Sequence, residues 1–183
     1  MTSLSIVRSR STAVTVAGIV GFAAAVAFAS QVAIPIPGTP VPITLQPLLV
    51  VLAGLWLGPV AGAASLALYL IAGAAGLPVF TPLGAPGIAR LLGPTGGYLI
   101  AYPVAAFVAG WLTVRRGTIG RRLLAAAAAM LVIYVGGLAQ LVVLTRSLTQ
   151  AAVLGMVPFI ALDAVKAILA GFLSPDRSTT ARA

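Results

Sequence analysis

The residues best able to do chemistry are a single acid and a single amine, Asp163 and Lys166, inside the apolar run 153–173. Lys166 is the only lysine of the sequence, and the other of its two acids, Asp176, lies beyond the run. Residues three apart share one face of a helix, so the carboxylate and the ammonium can meet each other or a common ligand. A charge near the bilayer centre costs about 2.5–3.5 kcal/mol, and intramembrane ionisable residues are usually functional. The pair therefore predicts a polar site for a small ligand, with an ion pair that locks two helices together as the alternative.

The composition places this pair in a membrane protein. The chain has 183 residues, of which 61% are hydrophobic and 7% charged, and its mean hydropathy is +1.15. A soluble domain has nearer ~25% charged residues, so this chain cannot cover a water-facing surface. Its length suffices for a single transmembrane domain, residues 1–183.

Cysteine and histidine are both absent. The first absence excludes thiolate chemistry and Cys-based metal sites, and the second removes the commonest metal ligand and the usual general base. With one acid inside an apolar run, an intramembrane enzyme lacks its catalytic groups. We therefore expect no enzyme activity, no catalytic residue, no metal and no cofactor.

Six apolar runs define the elements that must position the pair. We predict an all-α integral membrane protein, a bundle of six transmembrane helices at about 12–30, 44–57, 61–76, 95–113, 123–145 and 153–173. The second and third runs are short for a span of ~20 residues. The first run also has features of a signal peptide, with Ala27-Phe28-Ala29 as a cleavage-like site. Its small residues four apart favour the alternative, a retained helix that packs closely against another.

The arginines predict the topology and exclude a nucleic-acid partner. The net charge is +9, but the arginines lie at the ends of apolar runs and form no basic stripe, which indicates a lipid bilayer as the surroundings. With the N-terminus inside, only Arg90 and Arg146 are extracellular, and the positive-inside rule then makes both termini cytoplasmic. The arginines predicted to be cytoplasmic are Arg8, Arg10, Arg115, Arg116, Arg121, Arg122, Arg177 and Arg182.

A proline-rich segment over residues 34–44 follows the first run. Its four prolines fix φ and favour an extended backbone. The segment is either a stiff lid over a binding site or an interfacial connector. Gln46, which enters the next run, is a candidate lining residue, although it can equally serve as a hydrogen bond between helices.

A glycine-rich turn, Gly93-Pro94-Thr95-Gly96-Gly97-Tyr98, opens the fourth run. Free N–H groups at such a helix start can hold an anion, and Arg90 can add a bidentate partner for a carboxylate. Glycines for close packing, with Arg90 extended towards the interface, are the alternative. Asp163 can accept from N–H groups and Lys166 can donate to a carbonyl, as a urea requires. The candidate ligand-binding residues are Asp163, Lys166, Gln46, Arg90, Thr95 and Tyr98.

The chain from about Ser30 to Leu173 resembles the BioY family, the biotin-binding S-components of energy-coupling factor (ECF) transporters. The resemblance is carried by the segments Ile34–Gln46, Gly76-Leu77-Pro78-Val79-Phe80, Leu92-Gly93-Pro94-Thr95-Gly96-Gly97-Tyr98, Pro158-Phe159 and Asp163-Ala164-Val165-Lys166-Ala167. The chain departs from many relatives by having Ala161-Leu162 where they place Pro-Gly.

The resemblance implies capture of biotin from the outer side of a bacterial cell membrane, with Asp163 and Lys166 as ligands of its polar ring system. It also implies an ECF transmembrane subunit coupled to two ATPase subunits as partners, since nothing in this chain can hydrolyse ATP. The first helix docks on that subunit through an Ala-x-x-x-Ala-like face, for which the matching positions are Ala23 and Ala27, or Gly21, Ala25 and Ala29. A proton-coupled small-solute transporter or channel that uses Asp163 as its relay is the alternative.

Overall fold

The computed structural model describes residues 12–114 and 117–175, which form helices joined by turns and short loops. Asp176 and most of the arginines used for the topology lie outside these residues: Arg8, Arg10, Arg115, Arg116, Arg177 and Arg182. The helices are α1 (Thr12–Gln31), α2 (Gln46–Leu57), α3 (Pro59–Ala74), α4 (Ile88–Leu92), α5 (Gly96–Thr113), α6 (Ile119–Thr145), α7 (Leu148–Gly155) and α8 (Ile160–Leu173).

Helices α1, α5 and α6 are long and apolar enough to cross a membrane by length and composition. The consecutive helices α7 and α8 together pass the same test but are bent by 58°, so they count as a broken span or a re-entrant loop. Helices α2 and α3 are apolar but shorter. The described chain thus has three candidate spans, or four with the bent pair, and the six-span arrangement stays a prediction.

The structure departs from the expected continuous helix over 153–173, since two helices, α7 and α8, occupy this part of the chain. Pro158 lies in the break between them. A proline has no N–H to donate and disfavours the helical conformation of the residue before it, which favours a break at Pro158, whereas Pro103 lies inside α5 without ending that helix. A short helix, α4, also forms where a loop was expected, and α6 begins at Ile119, four residues before the expected start.

Helix α5 is central, because it contacts α2, α3, α4 and α6. It packs tightly against α6 at two glycines. A Cβ added to Gly97 would lie 2.2 Å from the carbonyl oxygen of Gly136, and one added to Gly136 would lie 2.6 Å from that of Gly97. Any side chain at either position would separate the two helices, so these glycines set the spacing of the bundle.

The outer surface of the helices is apolar. Phe28 of α1 is 78% exposed and Val143 of α6 is 74% exposed, and many further valines, leucines and isoleucines face outward. Contiguous apolar surface on this scale marks contact with a membrane or another protein. It agrees with the membrane location expected from the composition.

The proline-rich segment forms a hairpin, residues 34–43, that lies against α7. Ile34 and Ile43 pair as an antiparallel bridge, in which each N–H donates to the other carbonyl at 2.9 Å. At the tip, the Thr39 hydroxyl donates to the Leu154 carbonyl at 2.5 Å and accepts from the Val41 N–H. This proline-rich hairpin is therefore ordered and attached to the bundle.

Candidate ligand-binding site

A cavity lies between the proline-rich hairpin and helices α2, α5, α6 and α8. The space between its lining atoms, including its opening, is about 630 Å³. Apolar and hydroxyl side chains make up most of its wall. The lining residues are Val41, Pro42, Ile43, Thr44, Gln46, Pro47, Thr81, Thr95, Tyr98, Leu99, Tyr102, Ile133, Tyr134, Gly155, Phe159, Asp163 and Lys166.

The two charged residues of this wall form a buried ion pair. Lys166 Nζ donates to Asp163 Oδ1 at 2.7 Å, and the side chains are 6% and 12% exposed, respectively. The Tyr134 hydroxyl donates to the other carboxylate oxygen, Oδ2, at 2.6 Å. Asp163 and Lys166 both belong to α8, so the ion pair itself joins no two helices. Tyr134 of α6 makes the connection between helices.

The break before α8 explains how a carboxylate can be stabilised at the cavity. Asp163 lies in the first turn of α8, and its N–H donates to the Phe159 carbonyl at 2.8 Å. A helix N-terminus carries a partial positive charge that stabilises an anion. Because Pro158 interrupts the chain, this helix start lies at the cavity and not at the end of a long span.

Gln46 fills both of the roles considered for it. It is 3% exposed and lines the cavity. Its Nε2 donates to the Tyr69 hydroxyl of α3 at 2.7 Å, and its Oε1 accepts from the Thr44 hydroxyl at 3.2 Å. The amide therefore joins α2 to α3 and presents part of itself to the cavity.

Thr95 and Tyr98, at the start of α5, also line the cavity. The Tyr98 hydroxyl donates to the Gly155 carbonyl at 2.7 Å, and its ring occupies the place where a Cβ at Gly137 would lie, 2.1 Å from the nearest ring atom. With its hydroxyl proton already donated, Tyr98 can offer a ligand its ring and an acceptor lone pair.

Arg90 is not among the cavity-lining residues. It lies in α4 and is 6% exposed, and its guanidinium donates to the Leu83 and Thr81 carbonyls. Its Nε is buried and has no hydrogen-bond partner within the described part of the chain, and burial lowers the pKa of Arg90 from its usual value. Thr81 lines the cavity, so the guanidinium lies directly behind the wall.

The docking positions expected on α1 are divided between two faces. Ala23 and Ala29 are buried in the bundle, and Ala27 packs against the core. Gly21 is exposed, with open space where a Cβ would be, and Ala25 is half-buried. The structure therefore turns the Ala23/Ala27 pair towards the bundle and leaves Gly21 on the outer face.

Several residues that line the cavity had no role in the predictions from sequence, notably Tyr134, Tyr102, Phe159 and Thr81. One signal could have found Tyr134. A tyrosine hydroxyl inside an apolar run needs a hydrogen-bond partner, and Asp163 is the single acid inside any such run.

No cluster of three or more His, Cys, Asp or Glu occurs within residues 12–114 and 117–175. The charged groups of the cavity are a paired acid and amine, suited to hold a neutral group that has both donors and acceptors. The helical bundle and this site define a membrane protein that binds a small molecule within its helices.

The chain belongs to the BioY family, whose model matches residues 2–182. It is 43% identical over 134 residues to a probable biotin transporter BioY of Pyrococcus horikoshii, covering 72% of this chain and 76% of that protein. It is 35% identical over 141 residues to a biotin transporter BioY of Thermotoga maritima, covering 77% and 83%.

A solved structure shares the fold. The crystal structure of the S-component for biotin from an ECF-type ABC transporter superposes with a TM-score of 0.77 at 28% identity, covering 87% of this chain and 88% of that one. The expected family is thereby confirmed. Family membership also agrees with the expectation of no enzyme activity and does not favour a proton-coupled transporter or channel.

Proposed function

We propose that this protein takes up biotin, as the membrane-embedded S-component of an ECF-type transporter. The observation that carries the proposal is the buried Asp163–Lys166 pair in the wall of a cavity, in a chain of the BioY family. The ureido ring of biotin has two N–H donors and one carbonyl acceptor. A carboxylate and an ammonium on one wall complement these groups.

The rest of the cavity suits the apolar part of the ligand. Leu99, Ile133 and Phe159 lie in its wall and would pack against the thiophane ring and the aliphatic tail. Thr95, Tyr98 and Gln46 add polar contacts along the same wall. The proline-rich hairpin contributes Val41, Pro42 and Ile43 to the lining and would cover the bound vitamin as a lid.

The test is a titration of the purified protein with biotin in detergent, for the wild type and for Asp163→Asn and Lys166→Met. We expect each substitution to weaken binding by about tenfold to a hundredfold, because a hydrogen bond to a charged group contributes ~1.5–3 kcal/mol. Arg121→Ala, which changes an exposed arginine of α6, is the matched control and should bind as the wild type does.

Stability must be separated from binding. Either single substitution leaves one buried charge unpaired and should destabilise the fold by about 3–5 kcal/mol. The double variant Asp163→Asn/Lys166→Met removes both charges, so its melting temperature should recover while its affinity does not. Wild-type affinity in the double variant would refute the site.

The wider assembly is part of the proposal. The protein would have six spans with both termini in the cytoplasm of a bacterium. Its partners would be an ECF transmembrane subunit and two ATPase subunits, since its sequence lacks a G-x-x-x-x-G-K-[ST] loop. Of the positions expected to dock, Gly21 is the one best exposed on α1. Exposed Ala17, one turn before it, extends the same face.

A further inference from the structure

The Asp163 carboxylate has a second partner that neither the motifs nor the charges of the sequence revealed, the Tyr134 hydroxyl. Tyr134 donates to Oδ2 at 2.6 Å while Lys166 donates to Oδ1 at 2.7 Å. Among the residues that the structure describes, each carboxylate oxygen thus accepts from one donor. Tyr134 is half-buried and lies in the cavity wall, as do Asp163 and Lys166.

The unused hydrogen-bonding capacity of these three groups matches a cyclic urea. A carboxylate has about four acceptor positions and an ammonium has three donors, so Asp163 can still accept and Lys166 can still donate twice. The Tyr134 O–H donates its hydrogen bond to Asp163, and the hydroxyl oxygen retains lone pairs that can accept from a ligand. The wall therefore offers two acceptor groups and one donor group, and a ureido ring presents two N–H groups and one carbonyl.

We infer that Tyr134 is a binding residue for the ring, accepting one ureido N–H while its own O–H fixes the Asp163 carboxylate that accepts the other. Lys166 donates to the ring carbonyl. This inference rests on the proposed function. It adds a specificity element, because a ring that lacks either N–H leaves one buried acceptor without a donor, which is unfavourable.

The test compares three ligands on two proteins, wild type and Tyr134→Phe. The ligands are biotin and its two cyclic carbamate analogues, in which oxygen replaces one or the other ring N–H. We expect Tyr134→Phe to weaken biotin binding by roughly fivefold to thirtyfold. The same substitution should weaken the binding of one carbamate analogue by a clearly smaller factor than that of biotin, because that analogue has no N–H for the tyrosine to accept and loses only the effect of the O–H that fixes Asp163.

A merely structural role for Tyr134 predicts a different outcome. A misplaced helix weakens all three ligands by the same factor, and that result would overturn the inference. The comparison is made within one variant, so partial loss of folded protein does not affect the ratios. Tyr102→Phe is the matched control, since Tyr102 lines the same cavity and has no hydrogen bond from its hydroxyl among the described residues. Its effect should not differ between the two analogues.

The experiment distinguishes failure of the proposed function from failure of the role inferred for Tyr134. If the wild type does not bind biotin, the proposed function is wrong. If the wild type binds biotin and Tyr134→Phe binds it equally well, the function stands and the role of Tyr134 is refuted.

Discussion

The two buried cations near the cavity have very different partners. Lys166 has a carboxylate at 2.7 Å, whereas the Arg90 guanidinium has backbone carbonyls. Asp163 is the one acid in the described part of the chain, and it is already paired. Arg90 therefore keeps an uncompensated charge directly behind Thr81, where it can attract the carboxylate of a ligand without touching it.

This arrangement predicts a charge-selective effect of Arg90→Met. Two unit charges ~10 Å apart at an effective dielectric constant of ~20 interact with about 1.7 kcal/mol. We expect the ratio of the affinities for biotin and its neutral carboxamide to fall by roughly tenfold in the variant. Titration of both ligands measures the ratio. An equal loss for the two would show that Arg90 only holds the loop at residues 81–83.

The one side-chain contact that the sequence predicted is local. Asp163 and Lys166 meet because a spacing of three fixes their relation on any helix. The Tyr134–Asp163 bond spans 29 positions and depends on how α6 packs against α8, which spacing does not specify. The partners of Arg90 are backbone carbonyls. Every residue has a backbone carbonyl, so the sequence cannot indicate which of them Arg90 contacts.

At the scale of elements, hydropathy located the apolar runs but not the break in the last one. The run is apolar on both sides of Pro158. Mean hydropathy carries no information about the backbone N–H that proline lacks, so it does not show the break. Pro158 was the feature of the sequence that could have indicated a break in the helix. The break has a functional meaning in this fold, since it creates the helix start that holds Asp163.

The exposed face of α1 supports a prediction about docking. Ala17→Leu and Gly21→Leu add bulk to a surface where small residues would let a partner helix approach. Overpacking of a close contact costs about 1–3 kcal/mol, so biotin uptake by cells that contain the ATPase subunits should fall by roughly fivefold or more. Biotin binding by the purified protein should not change.

Ala127→Leu is the matched control for this experiment, because Ala127 is an exposed alanine of α6. Equal losses of uptake for the α1 and α6 variants would show that the effect is not specific to α1. Loss of binding in the purified α1 variants would place the defect in the fold and not in docking.

For the molecule as a whole, the distribution of arginines and the course of the helices make one joint prediction. Six spans with cytoplasmic termini place the proline-rich hairpin and the turn before α7 outside, and the connection between α5 and α6 inside. The prediction of six spans depends on the short helices α2 and α3, since length and composition alone support fewer than six spans.

Because the chain has no cysteine, single introduced thiols can test this topology. A membrane-impermeant maleimide applied to intact cells should label Pro37→Cys and Gln150→Cys, which are exposed positions on the predicted outer side. It should label Gly120→Cys only after lysis. Gly120 has open space for a side chain, so that substitution leaves the fold intact. Labelling of Gly120→Cys in intact cells would show that the predicted orientation or the predicted number of spans is wrong.

The proline-rich hairpin has a kinetic consequence. Its four prolines and the Ile34–Ile43 bridge have already removed most of the backbone freedom that a flexible flap would lose on closing. Opening would then be a swing of one preformed unit, opposed by the hydrogen bond from Thr39 to Leu154 and by the packing of Val41 against the core. Thr39 is not among the cavity-lining residues. Under the proposed function, removing its hydroxyl should therefore shorten the residence time of bound biotin without altering any group that touches the ligand's polar ring.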